Sequence, residues 1–286
     1  MPAGAAGVAY IGSWNWGSDT VCWSLYTTGK SGGEVGSHEP GHTLGLGHQG
    51  TSTQGYYGGQ GSGATGWGPI MGVGYYQPVS SWAKGEYQDA NNHEDELNLI
   101  TTQNNNVTYR PDDTGSTLAA SRYLEINPNF TASAEGVIER TGDTDAFQFT
   151  TAGGQVSLTA NPVGDWADLA VMATLANAAD IVIASNNPQT VLSATITTNL
   201  AAGTYTFRVT GAGRNSPLTN GFSAYGSLGY YSVTGYVAGA RLPTRLSVVE
   251  HSTNGTVVGT VPVNNIYNQP LACAIRSGNT GGTFSI

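Results

Sequence analysis

Residues 37–48 read SHEPGHTLGLGH, and this stretch decides the fold of the N-terminal part of the chain. On a helix, His38 and His42 lie one turn apart on the same face, so their imidazole rings can converge on one cation. Glu39 follows the first histidine and can approach a water molecule bound to that cation. The spacing therefore predicts a helix that binds zinc.

The glycine at position 45 predicts that the chain turns back directly after this helix. Glycine adopts a positive φ at little steric cost, so Gly45 lets the backbone bring in His48 as a third ligand. Three neutral imidazoles hold zinc tetrahedrally and leave the fourth corner to water, which is typical of a catalytic site. Three of the five histidines in the chain lie in this pattern, so coincidence is a weak explanation. A decayed site that keeps its metal ligands but no longer catalyses a reaction is a more serious alternative than coincidence.

The start of the zinc helix is left open by the sequence. Residues 29–37 are rich in Gly and Ser, which are poor helix formers, and Pro40 lacks the N–H that an interior helical residue donates. Either Ser37 caps a helix that starts late, with Pro40 in its first turn, or a longer helix bends at Pro40.

Composition narrows the classes of function. Charged residues make up 10% of the 286 residues, the net charge is −9 and no basic cluster stands out, which argues against nucleic acid as a partner. No apolar run reaches about 18 residues, so no membrane span is predicted. The glycine-rich residues 1–12 predict a loop and strand of the mature domain, not a signal peptide. Cys22 and Cys273 fall in different predicted domains, so no intrachain disulfide is expected.

The segment after the third histidine is glycine- and tyrosine-rich, which predicts loops. It leads to residues 69–72, PIMG, where Met71 is predicted to pack beneath the zinc ligands as an apolar floor without binding metal. An ordinary core methionine is the alternative. Residues 91–100 then have a capping residue and acids that predict the start of a helix. We interpret His93 and those acids as a solvated helix N-terminus and not as a metal site.

With these motifs in place, residues from about 7 to 110 resemble the C-terminal half of a bacterial secreted metzincin domain. The resemblance implies a zinc-dependent endopeptidase in which Glu39 is the general base. In some metzincins a tyrosine two positions after the turn methionine approaches the zinc. Val73 occupies that position here, and Tyr75 or Tyr76 is the substitute to consider. Only 37 residues precede His38, so we expect the upstream half of such a domain to be missing.

Residues 111–238 predict a second, all-β domain. About eight short strands separated by turn signals, with almost no helical periodicity, suggest a β-sandwich. Residues 142–147 (GDTDAF) and 200–209 (LAAGTYTFRV) resemble the bacterial pre-peptidase C-terminal domain, a jelly-roll-like module attached to secreted proteases. That resemblance implies an accessory or substrate-contacting role and calcium binding. Asp143 and Asp145 are the candidate calcium ligands, and a polar turn between strands is the simpler alternative.

Residues 239–286 resemble the first half of a cadherin-like repeat, a β-sandwich that would still need further strands. We therefore expect the chain to be cut there. Glu250 lies where such repeats can carry a calcium ligand, but later acidic motifs are missing and no site is predicted.

The sequence thus predicts a multidomain chain, α+β and then all-β, with domains at 1–110, 111–238 and 239–286. The predicted function is a secreted endopeptidase that acts on a protein or peptide substrate with one catalytic zinc. Secretion is implied by the resemblances alone. The alternative is an extracellular binding or adhesion protein with a vestigial or truncated metal site. Oligomeric state leaves no trace in the sequence.

Overall fold

The computed structural model describes residues 6–241, except 19, 27 and 104. The predicted cadherin-like repeat falls almost wholly outside these residues, together with Glu250 and Cys273, and stays a prediction.

The N-terminal part is built from two helices and four very short strands joined by long loops. Its elements are β1 (Gly7–Val8), β2 (Trp23–Ser24), α1 (Gly29–Thr43), β3 (Trp67–Pro69), β4 (Val79–Ser81) and α2 (Glu96–Thr102), with 3₁₀ turns at Gly63–Thr65 and Gly74–Tyr76. Strand β1 pairs antiparallel with β2, and β3 pairs parallel with β4. Most of this part is therefore loop, as the glycine content predicts.

Helix α1 begins at Gly29 and continues through Pro40, so the late start at Ser37 is wrong and the longer helix is correct. The hydroxyl of Ser37 donates to the carbonyl of Gly33 one turn earlier, at 3.1 Å, instead of capping a helix. Tertiary contacts outweigh the poor propensity of the first two turns, because Val35 is buried and Lys30 donates to Ser80 Oγ at 2.7 Å.

Helix α2 confirms the predicted helix, and its N-cap is Asp95, whose side chain accepts from the N–H of Asn98 at 3.0 Å. The interpretation of this end as solvated is wrong for Glu96, which is 0% exposed. His93 is exposed, as a solvated terminus implies.

The second part is a pair of five-stranded sheets, which confirms the predicted β-sandwich. Its strands are β5 (Arg122–Tyr123), β6 (Glu125–Ile126), β7 (Thr131–Ile138), β8 (Thr144–Thr151), β9 (Gly154–Pro162), β10 (Val171–Asn177), β11 (Val182–Asn186), β12 (Ala194–Leu200), β13 (Gly203–Gly211) and β14 (Gly229–Val237). One sheet has the order β11-β10-β13-β8-β5 and the other β12-β9-β14-β7-β6. Alternating residues such as Leu158, Phe207 and Val233 fill the core between them.

The two parts share a second, smaller core. Trp67, Val79 and Ala83 of the N-terminal part pack with Ala170 and Phe222 of the sandwich in one buried apolar cluster. The sandwich therefore packs directly on the strand pair β3-β4 beside the histidine motif.

Candidate metal centre

Helix α1 places His38 and His42 one turn apart, with their ring centroids separated by 4.8 Å. The Nδ1 atom of His38 lies 2.7 Å from the carbonyl oxygen of Ile70, and that of His42 lies 2.8 Å from the carbonyl oxygen of Leu46. A carbonyl can only accept, so each Nδ1 must carry the hydrogen. Both Nε2 atoms then keep a lone pair that is free for a cation.

The turn after α1 brings His48 back to the other two rings. Gly45 takes a φ of +105°, in the left-handed half of the backbone map. The Nε2 atoms of His42 and His48 are 2.9 Å apart, and one ring nitrogen from each of the three histidines lies within 4.8 Å of the others. Nitrogens in a tetrahedral zinc site, with bonds of about 2.0–2.1 Å, lie about 3.3 Å from each other. The three histidines could therefore hold one such ion.

Two of the three rings also have the charge state that a ligand needs. Burial, together with the neighbouring His42, lowers the pKa of His38 and of His48 to about 4. Imidazole binds a metal only when it is unprotonated. These two rings are therefore neutral at pH 7 before any ion arrives.

Glu39 lies on the same pocket as the histidines and is only 6% exposed. Burial raises the pKa of its carboxyl, which makes it a stronger proton acceptor than an exposed glutamate. Strand β1 packs directly on the Glu39 carboxyl. A Cβ on Gly7 would lie only 2.4 Å from Glu39 Oε1. Glycine at position 7 thus permits the close approach of backbone to this carboxyl.

The floor of the centre is apolar. Met71 is 0% exposed and belongs to a buried cluster with Leu44, Leu46, Ile70 and Ile100. Its sulfur lies 2.6 Å from where a Cβ on Gly41 would be, on the turn of α1 that carries His42. Met71 therefore packs against the turn of α1 that carries His42.

An open pocket of about 510 Å³ lies above the three histidines. Its walls include the β1 backbone, Val73 and Tyr75, whereas Tyr76 is 75% exposed and does not line it. Tyr56 forms another wall, with its ring centroid 4.2 Å from that of His48. Sequence reasoning missed Tyr56, because a tyrosine in a glycine-rich loop carries no periodic signal.

Asp143 and Asp145 belong to a separate carboxylate cluster in the sandwich. Each offers an oxygen within 4.8 Å of one from Asp112, and Asp112 forms a similar set with Asp113 and Glu139. The sequence analysis missed these last three residues. The acidic pair at 112 and 113 is plain in the sequence. Only the fold shows that it lies close to the turn at 143–145.

Two members of this carboxylate cluster are buried without full hydrogen bonding. Asp145 is 0% exposed and Glu139 is 8% exposed, and each has one oxygen without a partner among the described residues. Burial and the neighbouring carboxylates raise the pKa of Asp145 to about 8 and that of Glu139 to about 7. Such groups are costly unless a proton or a cation neutralises them, and oxygen ligands of this kind suit calcium.

Residues 22–126 match the model of the family Peptidase M66. The matched region contains the three histidines, Glu39 and Met71. No curated protein gives a match to the chain. This region is therefore peptidase-related, in a chain that continues into a β-sandwich.

Solved structures with some similarity each cover less than half of the chain. The pre-peptidase C-terminal domain of a Bacillus anthracis collagenase is 14% identical, with 44% of this chain and 97% of that domain covered and a TM-score of 0.28. The g-type lysozyme inhibitor PliG of Aeromonas hydrophila is 15% identical, with 41% and 94% covered and a TM-score of 0.29. Scores this low carry no argument about the function of this chain. Among the described residues, no helix is long and apolar enough to cross a membrane.

Proposed function

We propose that this peptidase-related chain is a secreted zinc-dependent endopeptidase. The observation that carries the proposal is the convergence of three ring nitrogens, within 4.8 Å of one another, beside the buried carboxyl of Glu39. The match of residues 22–126 to a peptidase family supports it independently of this geometry.

In this proposal His38, His42 and His48 hold one zinc ion through their Nε2 atoms. Zinc bound there would polarise the scissile carbonyl and acidify a water molecule. Hydrogen bonds from Nδ1 to backbone carbonyls keep two of the rings in the required tautomer and orientation.

Glu39 is the proton carrier of the reaction. Its carboxylate takes the proton of the attacking water and delivers it to the leaving amine as the peptide bond breaks. Burial favours the first half of this cycle, because a raised pKa makes the carboxylate a stronger base.

The substrate is a protein or peptide in an extended conformation. The backbone of residues 6–9 lines one wall of the pocket, and Tyr56 and Tyr75 line others. An extended chain can lie along β1 with its scissile bond above the histidines, which is the way peptides commonly bind beside a strand.

The proposal is tested by metal analysis combined with casein digestion, with and without a chelator. We expect one zinc per chain and chelator-sensitive cleavage. Glu39→Gln should retain the zinc and lose cleavage by at least about 100-fold, while Glu125→Gln, an exposed strand residue, should behave as the unaltered protein. Bound zinc without any cleavage would favour the binding or adhesion alternative, and cleavage by Glu39→Gln would exclude Glu39 as the base.

We also propose that the carboxylate cluster of the sandwich binds calcium through Asp112, Asp143 and Asp145. The support is the buried, unpartnered oxygen of Asp145 together with the two nearby carboxylates. Calorimetric titration with Ca²⁺ should show saturable binding that Asp145→Asn removes, while zinc content stays the same. Equal binding by both proteins would refute this site.

A further inference from the structure

We propose that Tyr225 of the β-sandwich is a positioning residue for His48, acting through Glu96 and Gln49, so that the sandwich helps to build the metal centre. This inference rests on the proposed function, because it takes His48 as a zinc ligand. It assigns the sandwich a role inside the site, beyond that of an attached module.

The loop that carries His48 is held by polar contacts on both sides of the histidine. The N–H of Gly47 donates to the carboxylate of Glu94 at 2.9 Å. The N–H of Gln49 donates to the carbonyl of Met71 at 2.8 Å, and the side chain of Gln49 is fully buried. The ring of the third histidine is therefore placed by residues next to it rather than by a helix.

Glu96 connects this loop to α2. One of its oxygens accepts from the side-chain amide of Gln49 at 2.9 Å, and the other accepts from the N–H of Ala83 at 2.7 Å. Glu96 is 0% exposed, so water cannot replace either donor. A shift of Glu96 would consequently displace Gln49 or leave a buried carboxyl oxygen without its hydrogen-bond donor.

Tyr225 fixes the backbone on both sides of Glu96. Its hydroxyl donates to Asp95 Oδ1 at 2.7 Å and accepts from the N–H of Leu97 at 2.7 Å. Tyr225 lies in the loop between β13 and β14 and is 8% exposed. A single hydroxyl from the sandwich thus clamps the first turn of α2, where Glu96 is.

The neighbouring backbone shows that this contact is tight. A Cβ on Gly226 would lie 2.4 Å from the carbonyl oxygen of Trp82 and 2.6 Å from Ser81 Oγ. The ring of Trp82 in turn lies 3.3 Å from where a Cβ on Gly41 would be, under α1. The sandwich loop therefore packs closely on Ser81 and Trp82, and Trp82 packs on the histidine helix.

The test uses Tyr225→Phe in the full chain, with Tyr205→Phe as the matched control. Both tyrosines are 8% exposed, but the hydroxyl of Tyr205 donates within the sandwich, to Ala201 at 3.1 Å. Two quantities are measured: the zinc dissociation constant, by competition with a chromogenic chelator, and amide hydrogen exchange of residues 47–50 in metal-free protein.

We expect Tyr225→Phe to weaken zinc binding by on the order of tenfold. This is the low end of the loss seen when a direct hydrogen-bond partner of a ligand is removed, because Tyr225 acts on His48 through two intervening residues. It should also speed exchange at residues 47–50, while Tyr205→Phe leaves both quantities unchanged whatever its effect on Tm. Wild-type zinc affinity and wild-type exchange at 47–50 in Tyr225→Phe would overturn the inference.

One further variant keeps the result interpretable. Glu96→Gln changes the residue in the middle of this series of hydrogen bonds while keeping the size of the side chain. It should reproduce the faster exchange at residues 47–50, even if Tyr225→Phe does not fold. Failure to do so would count against the inference. If the unaltered protein bound no zinc, the proposed function would fail, but faster exchange in the metal-free variants would still support the positioning role.

Discussion

The packing of Met71 against α1 makes a quantitative prediction about two glycines of one helix. A Cβ at Gly41 would lie 2.6 Å from Met71 Sδ, 3.3 Å from the ring of Trp82 and 3.4 Å from Leu46, whereas a Cβ at Gly36 would meet nothing within 4 Å. Alanine in place of glycine gains about 1 kcal/mol in a helix interior. Overpacking a buried site costs about 1–3 kcal/mol.

Gly36→Ala should therefore stabilise the protein by about 1 kcal/mol. Gly41→Ala should lose about 0–2 kcal/mol, because the propensity gain offsets only part of the cost of displacing Met71. The two variants should differ by about 1–3 kcal/mol, or on the order of 5 °C in Tm for a unit of this size.

The assay is thermal unfolding of metal-free protein, followed by circular dichroism. Metal-free protein is used because bound zinc would add its own stabilisation. If Gly41→Ala raised Tm as much as Gly36→Ala, Met71 would not pack against this turn, and its place as the floor of the centre would be wrong.

Three further predictions concern titration and burial. The pKa values of His38 and His48 lie below the usual 6.5, so the unfolded chain binds more protons at these rings. In metal-free protein the stability that the unaltered chain has over His38→Ala or His48→Ala should therefore fall as pH drops from about 6.5 to 4, measured by urea unfolding. Asp145 has a raised pKa, so its contribution has the opposite sign: without calcium, the stability that the unaltered chain has over Asp145→Asn should fall as pH rises from about 4 to 8. Arg214 is 0% exposed and donates to four backbone carbonyls and Asn187, so Arg214→Met should destabilise the protein by about 3–5 kcal/mol in the same assay.

What the sequence predicted well was local. The i, i+4 spacing of His38 and His42 and the turn at Gly45 are constraints within twelve residues. Helical geometry alone brings two of the rings together. The period-two alternation in strands such as β10 and β13 likewise predicted the sandwich, because each strand buries one face.

What the sequence missed depends on contacts between distant residues. The early start of α1 is stabilised by packing around Val35, which no propensity scale contains. The sequence predicts Glu96 to be a solvated acid at a helix N-terminus. In the structure it is buried and accepts hydrogen bonds from Gln49 and Ala83. Asp112 joins the turn at 143–145 only because the chain leading into the sandwich returns to that edge.

The central claim is that three imidazoles hold one zinc ion, and X-ray absorption of protein loaded with one equivalent of zinc tests it most directly. The account predicts a four-coordinate nitrogen and oxygen shell at about 2.0–2.1 Å with three imidazole ligands, reduced to two in His48→Ala. A spectrum without imidazole scattering, or one that His48→Ala leaves unchanged, would contradict it.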